Sequence, residues 1–184
     1  MKGESALHRQ HLEKAVLCAL FAALCCLATV VIQVPAPLVG YLNLGDCVVL
    51  TGAFLLGPLY GALAAGIGSA LADLLSGFVQ YVPATFVIKG LVALVAGVLF
   101  ALLRRHLRVP AFLSRLFAGL LGESVMVLGY FTYEAWLLGY GAAALSGMPL
   151  NVVQAALGIV VSMVLTSLLL KIPGIARLLS GRKE

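Results

Sequence analysis

Five residues charged at neutral pH stand inside or beside otherwise apolar stretches of this chain: Asp46, Asp73, Lys89, Glu123 and Glu134. An ionised side chain at the centre of a lipid-facing helix costs about 2.5–3.5 kcal/mol on insertion scales, so each needs a partner or a function. Near them fall Asn43, Gln80, Tyr81, Thr85, Tyr130, Tyr133, Asn151 and Gln154. Carboxylates, amides, hydroxyls and flat aromatic faces together suit the capture of a small, polar, planar solute. Catalysis has less support. There is no His-Glu-x-x-His, no Gly-x-Ser-x-Gly and no phosphate-cradling glycine loop, and His8, His11 and His106 lie in polar flanks. Neither an enzyme nor a nucleotide-hydrolysing subunit is predicted, and no cofactor is implied.

Each position also has a purely structural explanation. Asp73 and Lys89 could be an ion pair, Asp46 a helix cap, Glu123 a buried structural acid, and Asn151 a brace at a helix start. Tyr130, Tyr133 and Trp136 could form an interfacial belt. A membrane enzyme built on Asp73 and Glu123 would need both acids at one depth, whereas their places along the helices put them at different depths.

The elements that hold these residues follow from composition. The chain has 184 residues, 62% hydrophobic and only 10% charged, with mean hydropathy +1.12, against about 25% charged in a soluble domain. Lipid is therefore the solvent, and spans of about 20 residues each leave room for six helices in one membrane domain covering 1–184. The predicted helices are 12–33, 46–57, 59–76, 84–103, 113–138 and 149–170. Their breaks fall at Pro35-Ala36-Pro37, Gly57-Pro58, 77–83, Pro110 and the glycine-rich 139–147, and no strand alternation is visible. No cleavable signal peptide is expected, because the first apolar run is too long and lacks a small-residue cleavage site. Cys18, Cys25, Cys26 and Cys47 form no C-x-x-C pair, and neither a metal nor a disulfide is predicted.

Charge placement gives the orientation. Of the 12 Lys and Arg, all but Lys89 lie in or beside the N-terminal lead, the 104–115 connection or the C-terminal tail. The net charge of +5 thus sets topology and does not point to nucleic acid, and both termini are predicted cytoplasmic. The loops at 34–45, 77–83 and 139–148 hold no basic residue and are predicted external. Asp46, Asp73, Lys89 and Glu134 then lie near external helix ends, with Glu123 deeper. Thr85 with Lys89, Glu123 with Val127, Tyr130 and Glu134, and Asn151 with Gln154 and Gly158 share helical faces, which would converge on an outward-opening cup. On helix 59–76, Gly61, Ala65, Gly68 and Ala72 form a stripe suited to close helix packing.

Ala15, Ala19 and Ala23, G-Y-L-N-L-G-D at 40–46, G-S-A-L-A-D at 68–73, P-A-T-F-V-I-K-G at 83–90 and G-Y-F-T-Y-E at 129–134 occur in that order. In this the chain resembles the substrate-binding S component of an energy-coupling factor (ECF) vitamin transporter, over almost its whole length. The resemblance implies a multi-pass protein of a prokaryotic plasma membrane that binds a vitamin or precursor under the external loops. It implies docking through Ala15, Ala19 and Ala23 on a transmembrane coupling subunit driven by two cytoplasmic ATPases. Carried over, the substrate-site candidates are Asn43, Asp46, Lys89, Tyr130, Glu134, Asn151 and Gln154, and the same outer layer adds Tyr81 and Tyr133. The N-L-G-D and Y-x-x-Y-E segments resemble those of the subset for pyridine, pyrimidine or flavin vitamins, which favours a pyridoxine or hydroxymethylpyrimidine type compound, then riboflavin. Alternatives are a solitary vitamin facilitator and a structural membrane protein.

Overall fold

Proline and glycine dictate where the helices break. The computed structural model describes residues 2–35 and 41–174, with side chains from His11 onward apart from Pro35. Helix α1 (Lys2–Val31) leads into a hairpin of strands β1 (Gln33–Pro35) and β2 (Tyr41–Asn43). Then come α2 (Gly45–Leu56), α3 (Pro58–Leu75), a 3-10 turn at Val79–Tyr81, and α4 (Val82–Arg105). Helix α5 (Ala111–Thr132) runs on as a π-helical turn, Tyr133–Leu137, and a second 3-10 segment, Gly141–Ser146, precedes α6 (Met148–Leu169). A proline stands in the first two positions of α3, α4 and α6, where its missing N–H is no loss and its fixed φ favours the helix.

The distribution of side chains is inverted relative to a soluble protein. Leu63, Leu91, Phe117, Leu128 and Val160 face outward, while Asp46, Lys89, Glu123, Gln154, Ser162 and Thr166 are buried. Among the described residues, five helical stretches are long and apolar enough to cross a membrane: His11–Val31, Pro58–Leu75, Val79–Arg105, Ala111–Leu137 and Gly141–Leu169. The protein is an all-α, multi-pass membrane protein. Its α2 is the exception in length, since 12 residues rise only about 18 Å against a hydrocarbon core of about 30 Å. Nine of those residues are buried, so α2 is a half-length core helix screened from lipid by its neighbours. Below its end, Lys14, Arg104 and Arg105 meet Phe54, Pro58 and Phe100 around a recess. The start of α1 and the end of α4 therefore share one end of the bundle.

Three local expectations are corrected. The N-terminal lead is helical from Lys2, because residues 2–11 contain no proline and propagating an existing helix costs far less than nucleating one. A two-stranded ladder pairs Gln33 with Asn43, Val34 with Leu42 and Pro35 with Tyr41, where no strand was expected. The connections at 77–83 and 139–147 are largely helical turns. Ala36 and Pro37 of the expected turn lie outside the described residues, as do residues 175–184 with Arg177, Arg182 and Lys183.

Small residues set how closely the helices cross. Ala65, Gly68 and Ala72 of the α3 stripe are buried; a Cβ added at Gly68 would stand 2.3 Å from the Ala22 carbonyl oxygen and 2.8 Å from Cys25 Cβ. The obstacle is α1 backbone, which cannot rotate away. Gly68→Ala is expected to cost at least about 1–3 kcal/mol by overpacking, read as a lower thermal midpoint of the purified protein in detergent. An unchanged midpoint would contradict this crossing.

Candidate functional site

Residues from the far end of the bundle, opposite Lys14 and Arg104, enclose a cavity. Its walls are Tyr41 and Asn43 of β2, Asp73 of α3, Phe78 and Tyr81 around the 3-10 turn, Thr85 of α4, Tyr130 and Glu134 of α5 and its π turn, and Asn151 and Gln154 of α6. The aromatic rings form a chain, with centroids 4.9 Å apart for Tyr41 and Phe78, 6.3 Å for Phe78 and Tyr81, and 6.4 Å for Tyr81 and Tyr130. As folded, the cavity encloses 40 Å³.

Most polar groups around it are already paired. The Tyr41 hydroxyl donates to Asp73 Oδ1 at 2.7 Å. Burial, and then the neighbouring Asp73 carboxylate, push that phenol above its ordinary pKa, so it keeps its proton and remains a donor. Thr85 and Tyr130 hydroxyls bond each other at 2.9 Å. Tyr81 donates to Glu134 Oε1 at 3.3 Å, whereas Glu134 Oε2, on a residue only 4% exposed, has no partner.

A second, drier layer lies beneath. Lys89 Nζ donates to Asp46 Oδ1 at 2.5 Å, and Gln154 Nε2 donates to Asp46 Oδ2 at 2.6 Å. Gln154 Oε1 accepts the Asn43 backbone N–H at 2.8 Å, and Asn43 Oδ1 in turn accepts the Gly45 N–H at 2.8 Å. One network thus fastens the hairpin, the start of α2, α4 and α6. Lys89 Nζ also lies 3.1 Å from Met126 Sδ and 5.5 Å from the centre of the Tyr130 ring. Glu123 is deeper still and fully buried, with neither carboxylate oxygen hydrogen-bonded. It adjoins the crossing at Gly158, where an added Cβ would come within 2.9 Å of Asp46 Cβ and 3.4 Å of Glu123 Oε1.

Against the nine substrate-site candidates, the cavity brings together Asn43, Tyr81, Tyr130, Glu134, Asn151 and Gln154, while Asp46, Lys89 and Tyr133 stand outside its lining. Tyr133 packs its ring 5.8 Å from that of Tyr81 and donates to the Gln80 carbonyl. The Asp73–Lys89 ion pair considered from sequence is not formed; the lysine goes to Asp46. Tyr41, inside the 40–46 motif but not named as a contact, and Phe78, not among the candidates, also line the wall.

Ala15, Ala19 and Ala23 occupy a separate place, the exposed side of α1. With Cys18, Ala22 and the α3 residues Tyr60, Leu63, Ile67 and Leu71 they line an apolar groove.

A family model for the ECF-type riboflavin transporter S component matches residues 9–171. The chain belongs to the ECF S-component family. This S component is also 32% identical to the thiamine precursor transporter HmpT of Lactococcus lactis over 136 residues, 74% of each chain. A Pyrococcus woesei protein named only by its place in a gap 3' region is 37% identical over 134 residues, 72% of this chain and 85% of that one. An S component is a membrane-embedded transporter subunit, not an enzyme.

Proposed function

We propose that this S component captures a small planar vitamin precursor at the external face of a prokaryotic plasma membrane, and passes it inward through a coupling subunit driven by two ATPases. The observation that carries the reading is the cavity itself. Four aromatic rings and a set of carboxylate and amide groups meet at the bundle end opposite Lys14, Arg104 and Arg105, which is the external end by the positive-inside rule. Asn43 and Gln154 hold the wall through the network that ties β2 to α6; Tyr81, Tyr130, Glu134 and Asn151 are the direct contacts. Lys89 and Asp46 support that wall from beneath, and Tyr133 buttresses Tyr81.

A single-ring substrate is favoured over a fused three-ring one. The 40 Å³ enclosed here is far below the roughly 300 Å³ at which ligand pockets begin, so side chains must move apart on binding. A pyrimidine or pyridine ring needs the smaller expansion. HmpT, by its name, handles a thiamine precursor, which agrees with the pyrimidine choice, while the name of the family model keeps riboflavin as the next candidate.

Mass spectrometry of ligand released from the purified protein, followed by isothermal titration calorimetry with pyrimidine, pyridine and flavin candidates, tests the proposal. Co-purification or sub-micromolar binding of a single-ring compound is expected. Absence of binding by all of them would end the receptor reading. Trp136 is a poor optical reporter for this titration, since it is 77% exposed and lies outside the cavity wall.

A further inference from the structure

We infer that the cavity selects its ligand by the hydrogen-bond donors the ligand brings, with Glu134 Oε2 as the specificity-determining acceptor, and that the preferred class is an unphosphorylated, amine-bearing heteroaromatic ring. The inference rests on the receptor reading above and adds to it the polarity of recognition.

Most hydrogen-bonding groups of the wall are committed to one another. The Tyr41 hydroxyl is given to Asp73 and the Tyr81 hydroxyl to Glu134 Oε1. Thr85 and Tyr130 satisfy each other, and both ends of the Gln154 amide are engaged, by Asp46 and by the Asn43 N–H. Apart from the side-chain amides of Asn151 and Asn43, the donors in the wall are thus spent on internal acceptors. Among the described wall residues, Glu134 Oε2 is the one acceptor atom buried without a partner. A buried acceptor with no donor is costly, and a ligand N–H that reaches it relieves that cost only when bound.

Charge points the same way. Among the described residues, the wall contains two carboxylates, Asp73 and Glu134, and no Lys, Arg or His. The nearest buried cation, Lys89, is held by Asp46 at 2.5 Å, with its ammonium 5.5 Å from the centre of the Tyr130 ring. A phosphate ester would meet two negative groups at short range, with Lys89 already neutralised by Asp46. An amino group on the ring offers an N–H donor to Glu134 Oε2, the oxygen that Tyr81 leaves free, in a charge-assisted hydrogen bond. A ring edge that presents a carbonyl beside an alkylated nitrogen, with no ring N–H, would face Glu134 with acceptor against acceptor. Sites built on such polar complementarity discriminate strongly, because the wrong analogue leaves a buried group unpaired.

The experiment is calorimetry on the purified full chain in detergent with three probes: a hydroxymethyl aminopyrimidine, its counterpart with a carbonyl in place of the ring amine and the adjacent ring nitrogen methylated so that no ring N–H remains, and the phosphate ester of the first. Wild type is expected to bind the amine at least about tenfold more tightly than either of the others. E134Q should lose about tenfold or more for the amine and nothing for the carbonyl compound, since the carboxamide NH₂ donates where the carboxylate accepted. A merely structural role for Glu134 would weaken both equally, and that result overturns the inference. Equal wild-type affinity for the amine and carbonyl compounds also overturns it, whether or not E134Q folds. Tight binding of riboflavin with none of the three would sink the inference while leaving the receptor reading intact, whereas failure of every vitamin candidate would sink both.

Discussion

Lys89→Ala is expected to destabilise the folded protein by about 3–5 kcal/mol, the range for stranding one member of a buried ion pair. Lys89 and Asp46 are 3% and 1% exposed, so removing the ammonium leaves the Asp46 carboxylate in an apolar layer with only the Gln154 amide as donor. The unpartnered carboxyl group of Glu123 lies beside it. The effect should spread beyond α4, because Asp46 opens α2 and its partner Gln154 also holds the hairpin through Asn43. The charge-free pair Lys89→Met with Asp46→Asn should recover most of the loss, since replacing a whole buried pair by neutral groups is far milder than breaking it. Unfolding midpoints of both single variants and the double variant, measured in one detergent, form the cycle. If the double variant is as unstable as the sum of the singles, the two residues are not coupled. Ligand affinity should fall only in step with stability, because Lys89 does not line the cavity.

The pairing of Lys89 with Asp46 shows where the sequence stopped being legible. Depth in the membrane could be read from distance along each helix, and this grouped Tyr81, Tyr130, Glu134, Asn151 and Gln154 at one end, where the structure places them around one cavity. Which of them satisfies which was hidden. Asp46 and Lys89 are 43 residues apart and Asn43 and Gln154 are 111 apart; no helical or strand periodicity relates such pairs. The nearer acid in the chain, Asp73, was the natural guess for Lys89, and only the packing of α2 into the middle of the bundle brings Asp46 closer. The helices were legible because Gly57-Pro58, Pro83, Pro110 and Pro149 interrupt long apolar runs. The hairpin was not, because strands of three residues are too short to show alternation. With it went the packing of the Phe78 ring against Tyr41.

Ala19→Trp is expected to leave ligand affinity unchanged and to reduce uptake in cells to background. Helix α1 has two faces with different tasks. Ala22, Cys25 and Thr29 are buried, and the Ala22 carbonyl abuts Gly68 of α3, so that face is internal packing. Ala15, Ala19 and Ala23 are exposed and spaced four apart on the other side, flanking a groove lined by Tyr60, Leu63, Ile67 and Leu71. In lipid, helices associate where small side chains let their backbones approach, and an indole at the middle of the three would occupy the groove and hold a partner helix away. The cavity lies at the far ends of α3 and α5 and draws none of its wall from α1, which is why binding should be spared. Ala22→Trp is the matched control: the same bulk on the internal face should abolish folding and therefore binding. Loss of binding in the Ala19 variant would mean that this face stabilises the bundle and does not dock. Full uptake by the variant would remove these alanines from the coupling surface, and uptake that persists without coupling subunit or ATPases would favour a facilitator working alone. The docking proposal stands only on the combination of retained affinity with lost transport, because no defect in the cavity or the core produces both.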